Sequence, residues 1–146
     1  MASVFPFVSN AEPVKDKTSD LPVFREYAYD FANNCLLTRA GATYLVEKDE
    51  ALKIWIYHAL KVPRYIFTAH SRDYGNELDS LFGYVMDRET MESEIKRYIT
   101  EALMVLPYIQ ELGNFSFSYD GRRTVVGFEV TSIYGRFTYE SEIYNE

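Results

Sequence analysis

Tyr27, Tyr29 and Phe31 alternate with Ala28 and Asp30, the period of a half-buried strand. Asn33-Asn34 tolerates positive φ and predicts a tight turn. Residues 35–38 then return antiparallel, Arg39-Ala-Gly41-Ala predicts a second turn, and residues 43–47 predict a third short strand. After that the period changes. Leu52, Trp55, Ile56, Ala59 and Leu60 recur at i, i+3, i+4, i+7 and i+8, which predicts a helix over residues 50–61 with Asp49 as its N-cap. Ile54 and Tyr57 lie off that stripe, so the helix is expected to be covered on two sides. Pro63 ends it by lacking a donor and restricting Val62. Residues 65–68 read as a strand, and Arg64 is expected to meet a nearby carboxylate, with Glu77 the first candidate.

A second helix is predicted over residues 88–106, capped by Asp87 and stopped by Pro107. Met91, Ile95, Tyr98, Ala102 and Leu106, joined by Ile99 and Leu103, form its apolar stripe. Alternation then resumes. Phe115, Phe117 and Tyr119 alternate with serines, Asp120-Gly121 signals a hairpin, and Val126, Phe128 and Val130 alternate on the return. On the last strand Phe137, Tyr139, Ser141 and Ile143 alternate with Arg136, Thr138, Glu140 and Glu142. The order βββ-α-β-α-βββ describes an α+β domain, with a small mixed or antiparallel sheet and two main helices. This domain spans residues 23–146. Residues 1–22 read as an extended arm, broken by Pro6, Pro13 and Pro22. Within the arm, Val4-Phe5-Pro6-Phe7-Val8 keeps five apolar residues together, suited either to folding over its own core or to docking on a neighbour.

Composition narrows the function. The 146 residues carry a net charge of −7, which opposes binding to nucleic acid or to anionic membranes. The 13 Tyr and 10 Phe suit half-buried contact surfaces, and also suit a β-rich fold. One cysteine, Cys35, excludes an internal disulfide and is expected to be a small core residue. Lacking a cationic start, residues 1–8 make a poor secretion signal, so assembly in a host cytoplasm is expected, with release by lysis.

Candidate chemistry is sparse. His58 falls on the first helix, and His70, Ser71 and Asp73 are loop neighbours, whereas a catalytic triad draws on separate elements. Two distant histidines and one cysteine offer no metal site, and no phosphate-binding glycine loop occurs, so neither metal nor cofactor is expected. Glu77 and Asp79 are the pair from which a wall-sugar hydrolase could be drawn.

Several short segments in fixed order carry a family likeness. They are Glu50-Ala-Leu-Lys-Ile-Trp-Ile-Tyr, Pro63-Arg-Tyr, Tyr74-Gly-Asn-Glu-Leu, Leu81-Phe-Gly, and the terminal Phe-Ser-Phe, Phe-Glu-Val and Ile-Tyr-Gly-Arg-Phe pieces. With Tyr27-Ala-Tyr-Asp-Phe, they make residues 23–144 resemble the XkdS-like family of phage-tail baseplate proteins. That family is related to the T4-type wedge protein that initiates the tail sheath. The resemblance implies a sheath-initiator, handshake-like fold. It implies a structural role, without catalysis, in the baseplate of a contractile phage tail or a tail-derived bacteriocin. Its partners would be the tail sheath protein and baseplate wedge proteins, with hub or tube proteins as further neighbours and a six-fold ring of copies.

The same resemblance implies that strands of the first sheath ring add to this protein's sheet; the last strand, residues 136–144 with Thr138, Glu140 and Glu142, is expected to lie in that sheet, and the choice of accepting edge stays open. T4-type relatives carry Glu-Pro-Arg after the second helix, at the contact with the wedge. Here Leu106-Pro107-Tyr108 stands in its place, so an apolar or hydroxyl contact replaces the ionic one. Phe5 and Phe7 are the arm's candidate contact residues. A soluble binding module resembling a bacterial anti-adaptor is the alternative from a different class.

Overall fold

The computed structural model describes residues 20–81 and 83–144. Its first part is a ribbon of short antiparallel strands. β1 (Arg25–Tyr27) pairs with β6 (Leu45–Glu47), β2 (Tyr29–Asp30) with β3 (Cys35–Leu36), and β4 (Thr38–Arg39) with β5 (Ala42–Thr43). Ala28 joins the branches: its N–H donates to the Tyr44 carbonyl and its carbonyl accepts from Leu37. The two sequence-predicted turns are present, with Asn34 at φ 55 and Gly41 at φ 80. The Asp30 carboxylate secures the first turn by accepting from the Ala32 and Asn33 amides. Cys35 is exposed, not a core residue, because both residues of β3 face solvent while only β2 is half-buried.

Helix α1 (Lys48–Lys61) follows β6 without a loop. Asp49 therefore falls inside the first turn and is not the cap; Lys48, at φ 60, donates its N–H to the Phe24 carbonyl instead. The buried residues are Ala51, Leu52, Ile54, Ile56 and Ala59, while Trp55 and Leu60 are half-buried against the core. Ile54, off the main stripe, is buried, so the helix is covered on two sides.

Residues 65–68 form turns and not a strand. A strand needs a hydrogen-bonded neighbour, and the pairing here is a single parallel bridge, Pro63 with Asn76. Tyr65, at φ 70, turns the chain outward, leaving Tyr65, Ile66 and Phe67 exposed. Arg64 does not pair with Glu77: its guanidinium donates to the Gly75 carbonyl at 3.4 Å. The backbone exchange of Arg64 with Asn76, and of Asn76 with Val62, holds Arg64 over Gly75.

Gly75 and Asn76 explain the Tyr-Gly-Asn-Glu-Leu segment. Gly75 has φ 101, and a Cβ there would lie 2.6 Å from the Val62 carbonyl oxygen. Asn76 is buried; its amide donates to the Ala59 and Val62 carbonyls at the end of α1, and its side-chain oxygen accepts from the Leu78 N–H. It thus closes α1 and starts the short 3-10 helix Leu78–Leu81. Asn76→Ala is expected to destabilise the fold by about 2–3 kcal/mol, since the buried Ala59 carbonyl and Leu78 N–H lose their side-chain partner. Urea unfolding measures this, and a loss below about 0.5 kcal/mol would show that water replaces the amide.

Helix α2 (Arg88–Leu103) has the Asp87 cap: the carboxylate accepts from the Thr90 amide and hydroxyl. These bonds hold the Asp87 carboxyl below the usual carboxylate range. The helix ends at Leu103, ahead of Pro107, because residues 104–108 turn to enter the sheet. β7 (Ile109–Asp120), β8 (Arg123–Ser132) and β9 (Gly135–Tyr144) make an antiparallel sheet with β8 in the centre. Val126, Phe128 and Val130 of β8 are fully buried, packed with Ile56, Ile95, Ile99 and Leu103 of the helices. The α+β class and the sequence of strands, two helices and strands hold.

Candidate functional site

The outer edge of β9 is the candidate site. Residues 133–134 form a two-residue turn between Ser132 and Gly135. In such a hairpin the flanking pair exchanges both backbone hydrogen bonds, and every second pair after it does the same. Phe137, Tyr139, Ser141 and Ile143 therefore bond inward to Val130, Phe128, Val126 and Thr124. The β7–β8 register gives the same phase: Asp120 faces Arg123 across a two-residue turn, and the odd residues of β8 turn to β7. Arg136, Thr138, Glu140 and Glu142 consequently aim their N–H and carbonyl groups away from the sheet. β9 has no strand neighbour on that side among the described residues.

The two faces of β9 differ in the way its alternation predicts. Phe137, Tyr139 and Ile143 pack on the core, and Arg136, Thr138, Glu140 and Glu142 are exposed. On the exposed face Arg123 pairs with Glu142, and Arg136 lies 3.9 Å from Glu129. Such surface pairs contribute about 0–1 kcal/mol each. Glu140 has no ion-pair partner among the described residues.

A groove runs beside this edge, lined by Phe31, Tyr57, Leu60, Lys61 and residues 139–142. Its aromatic wall is well ordered by contacts. Phe31 meets Tyr57 edge-on at 4.7 Å, and Lys61 sits 4.4 Å over the Tyr57 ring. The Tyr57 and Tyr29 hydroxyls both donate to the Asn34 side-chain oxygen. Burial, and secondarily Tyr57, pushes the Tyr139 phenol above its ordinary range, so it stays protonated. Sequence reading placed Tyr57 only on a second apolar face and did not join it to β9.

His58 packs edge-on against Tyr29 at 4.6 Å, and burial followed by the Lys61 charge lowers its pKa from 6.5. A histidine held neutral binds fewer protons folded than unfolded between the lowered value and 6.5. Stability is therefore expected to fall as pH drops through that window. Urea unfolding at pH 7.5 and 5.5 should show a smaller acid loss for His58→Leu than for wild type; equal losses would refute the assignment.

The second candidate region follows α2. Leu106 is half-buried, Pro107 is exposed, and Tyr108 is buried. The Tyr108 hydroxyl donates to the Pro22 carbonyl at 2.7 Å, and its ring meets Phe24 at 4.8 Å. Tyr108 is thereby committed within the chain. Met104 and Val105, just before it, are exposed and were missed, because they lie inside the span read as helix. Phe5 and Phe7 lie outside the described residues. His70 stacks on Tyr74 at 4.6 Å, and the Glu77 carbonyl accepts from Ser80 next to exposed Asp79. Among the described residues no group of three or more His, Cys, Asp or Glu could hold a metal. No helix there is long and apolar enough to cross a membrane.

The described residues thus combine an α+β body with an open antiparallel edge and an aromatic groove beside it. The sequence model of the contractile injection system sheath initiator matches residues 25–135, and the chain belongs to that family. It is similar to the phage-like element PBSX protein XkdS of Bacillus subtilis (strain 168), 27% identical over 136 residues, or 90% of this chain and 91% of that protein. It is thus a structural protein of the phage-tail baseplate type.

Proposed function

We propose that this protein initiates the sheath by offering the outer edge of β9 to a strand of the first sheath ring. The observation that carries this reading is the outward-facing row of backbone groups at Arg136, Thr138 and Glu140, which has no strand neighbour among the described residues and continues a sheet already two ladders wide. Strand addition draws affinity from backbone hydrogen bonds and register from alternate side-chain pockets, and the groove along residues 139–142 supplies such a pocket. The exposed segment of Met104, Val105 and Pro107 docks on the baseplate wedge through apolar contact, with Leu106 and Tyr108 supporting it from within. The protein acts in several copies, six in a ring, bordering sheath, wedge and hub or tube proteins. It assembles in a host cytoplasm and ends in the particle's baseplate.

Glu140 gives this reading an electrostatic test. An acidic edge discourages self-pairing and favours a basic incoming strand. Glu140→Lys is expected to slow sheath nucleation on purified baseplates about tenfold at low ionic strength, with the difference fading as salt screens the pair. Timed electron microscopy of sheath growth measures it. Equal rates at every salt concentration would mean that the incoming strand does not pass Glu140.

A further inference from the structure

Arg64 is poorly satisfied by the chain that holds it. Its Nε is buried and has no hydrogen-bond partner among the described residues. The side chain's other hydrogen bond there is the long one to the Gly75 carbonyl, and no carboxylate pairs with it. A buried donor without a partner costs stability, more so on a charged group. The backbone nevertheless fixes this residue. The Arg64 N–H donates to the Asn76 carbonyl, and the Asn76 N–H donates to the Val62 carbonyl. Gly75, where a Cβ would strike the Val62 carbonyl, lets the two segments close. A guanidinium held in this way presents a planar fork of donors that matches a carboxylate.

The residues that follow Arg64 are apolar and face solvent. Tyr65 and Ile66 are each 66% exposed, and Phe67 is 54% exposed. Tyr65 holds φ 70, a conformation that a bulky side chain adopts only under strain. The loop is still well built. The Phe67 carbonyl accepts from the His70 N–H at 3.3 Å, and the Phe67 ring meets His70 edge-on at 6.4 Å. His70 stacks on Tyr74, and Tyr74 meets Trp55 of α1 at 5.9 Å. An aromatic series thus ties the loop to the helix and leaves Tyr65 and Ile66 outside it. Exposed aromatic and aliphatic side chains around an arginine have the composition of an interface centre. Between Glu50 and Asp73 the chain carries Lys53, Lys61, Arg64 and Arg72 and no acidic residue, in a protein of net charge −7. That local sign selects an acidic partner segment.

We propose that Arg64, Tyr65, Ile66 and Phe67 form a docking site for a neighbouring baseplate protein. The partner sets an Asp or Glu carboxylate on the Arg64 guanidinium and lays an adjacent apolar side chain on Ile66 and Phe67. The site uses no residue of β9 and none of residues 104–107, so it stands or falls apart from strand addition and from the wedge contact.

The experiment titrates the purified full chain onto baseplates assembled without it and reads the bound copies by quantitative mass spectrometry. Arg64→Met keeps the side-chain stem and removes the unpaired donor. It should leave the Tm of the free protein unchanged or higher, and raise the half-saturating concentration at least about tenfold at low ionic strength. Ile66→Asp, outside the core, should weaken binding to a similar degree without a change in Tm. Unchanged binding of either variant would overturn the proposal, and a lower Tm for Arg64→Met with normal binding would assign Arg64 to the fold alone. Thr138→Pro should bind like wild type, which separates this site from the β9 edge. Photo-crosslinking from benzoylphenylalanine placed at Ile66 in assembled particles then identifies the residue opposite. The expected attachment lies beside an Asp or Glu whose change to Arg restores binding of Arg64→Glu. Attachment to a second copy of this chain, or to a stretch without an acidic residue, would overturn the proposal.

Discussion

Thr138→Pro is expected to give folded protein that enters baseplates but starts no sheath. The Thr138 N–H points away from β8, so proline leaves the β8–β9 ladder whole and removes a donor only from the open edge. An incoming strand then faces a carbonyl without a partner, a loss of about 1–3 kcal/mol, or roughly 5- to 150-fold in occupancy for each site. Glu140→Pro removes the next outward donor and should act alike. Tyr139→Pro is the contrast: its N–H bonds inward to Phe128, so it should damage the fold itself, by about 3 kcal/mol or more. Circular dichroism verifies the fold and electron microscopy of assembled tails reads sheath length. Sheath of normal length on Thr138→Pro baseplates would show that this edge is not the acceptor.

Phe128→Ala is expected to be the most destabilising single truncation, by about 3–5 kcal/mol, with a fall in Tm on the order of 10–20 °C. Phe128 is fully buried on the central strand and contacts Phe115 at 5.4 Å and Tyr139 at 5.6 Å. Its loss opens a cavity between the sheet and both helices, and loosens Tyr139 beside the groove. Trp55, half-buried against Tyr74, should cost only about 2 kcal/mol on truncation. Urea unfolding of the two variants ranks them. A larger loss for Trp55→Ala would place the centre of the core at α1 and not at β8.

Local periodicity was enough to read both helices, the Asp87 cap, the Asn34 and Gly41 turns, and the inward and outward faces of β8 and β9. Each depends on neighbours a few residues away, where side-chain spacing and backbone preference act directly. The family likeness was legible for the same reason, because its segments are local and their order is linear. The failures share one cause. Residues 65–68 have the composition of a strand but no ladder to join, and Cys35 has the size of a core residue but lies on an exposed strand. Asp49 was displaced as a cap because β6 pairs with β1 right up to the helix, and Arg64 turned to the Gly75 carbonyl because Asn76 holds the two segments together. Pairing partners, exposure and the choice among polar contacts are set by residues distant in the chain. Only the tertiary structure could join Phe31, Tyr57 and Leu60 to residues 139–142 and make a groove beside the open edge. The sequence by itself determined both helices, the faces of the last strands and the family; the packing of α1 against β9 decided where the groove beside the edge lies.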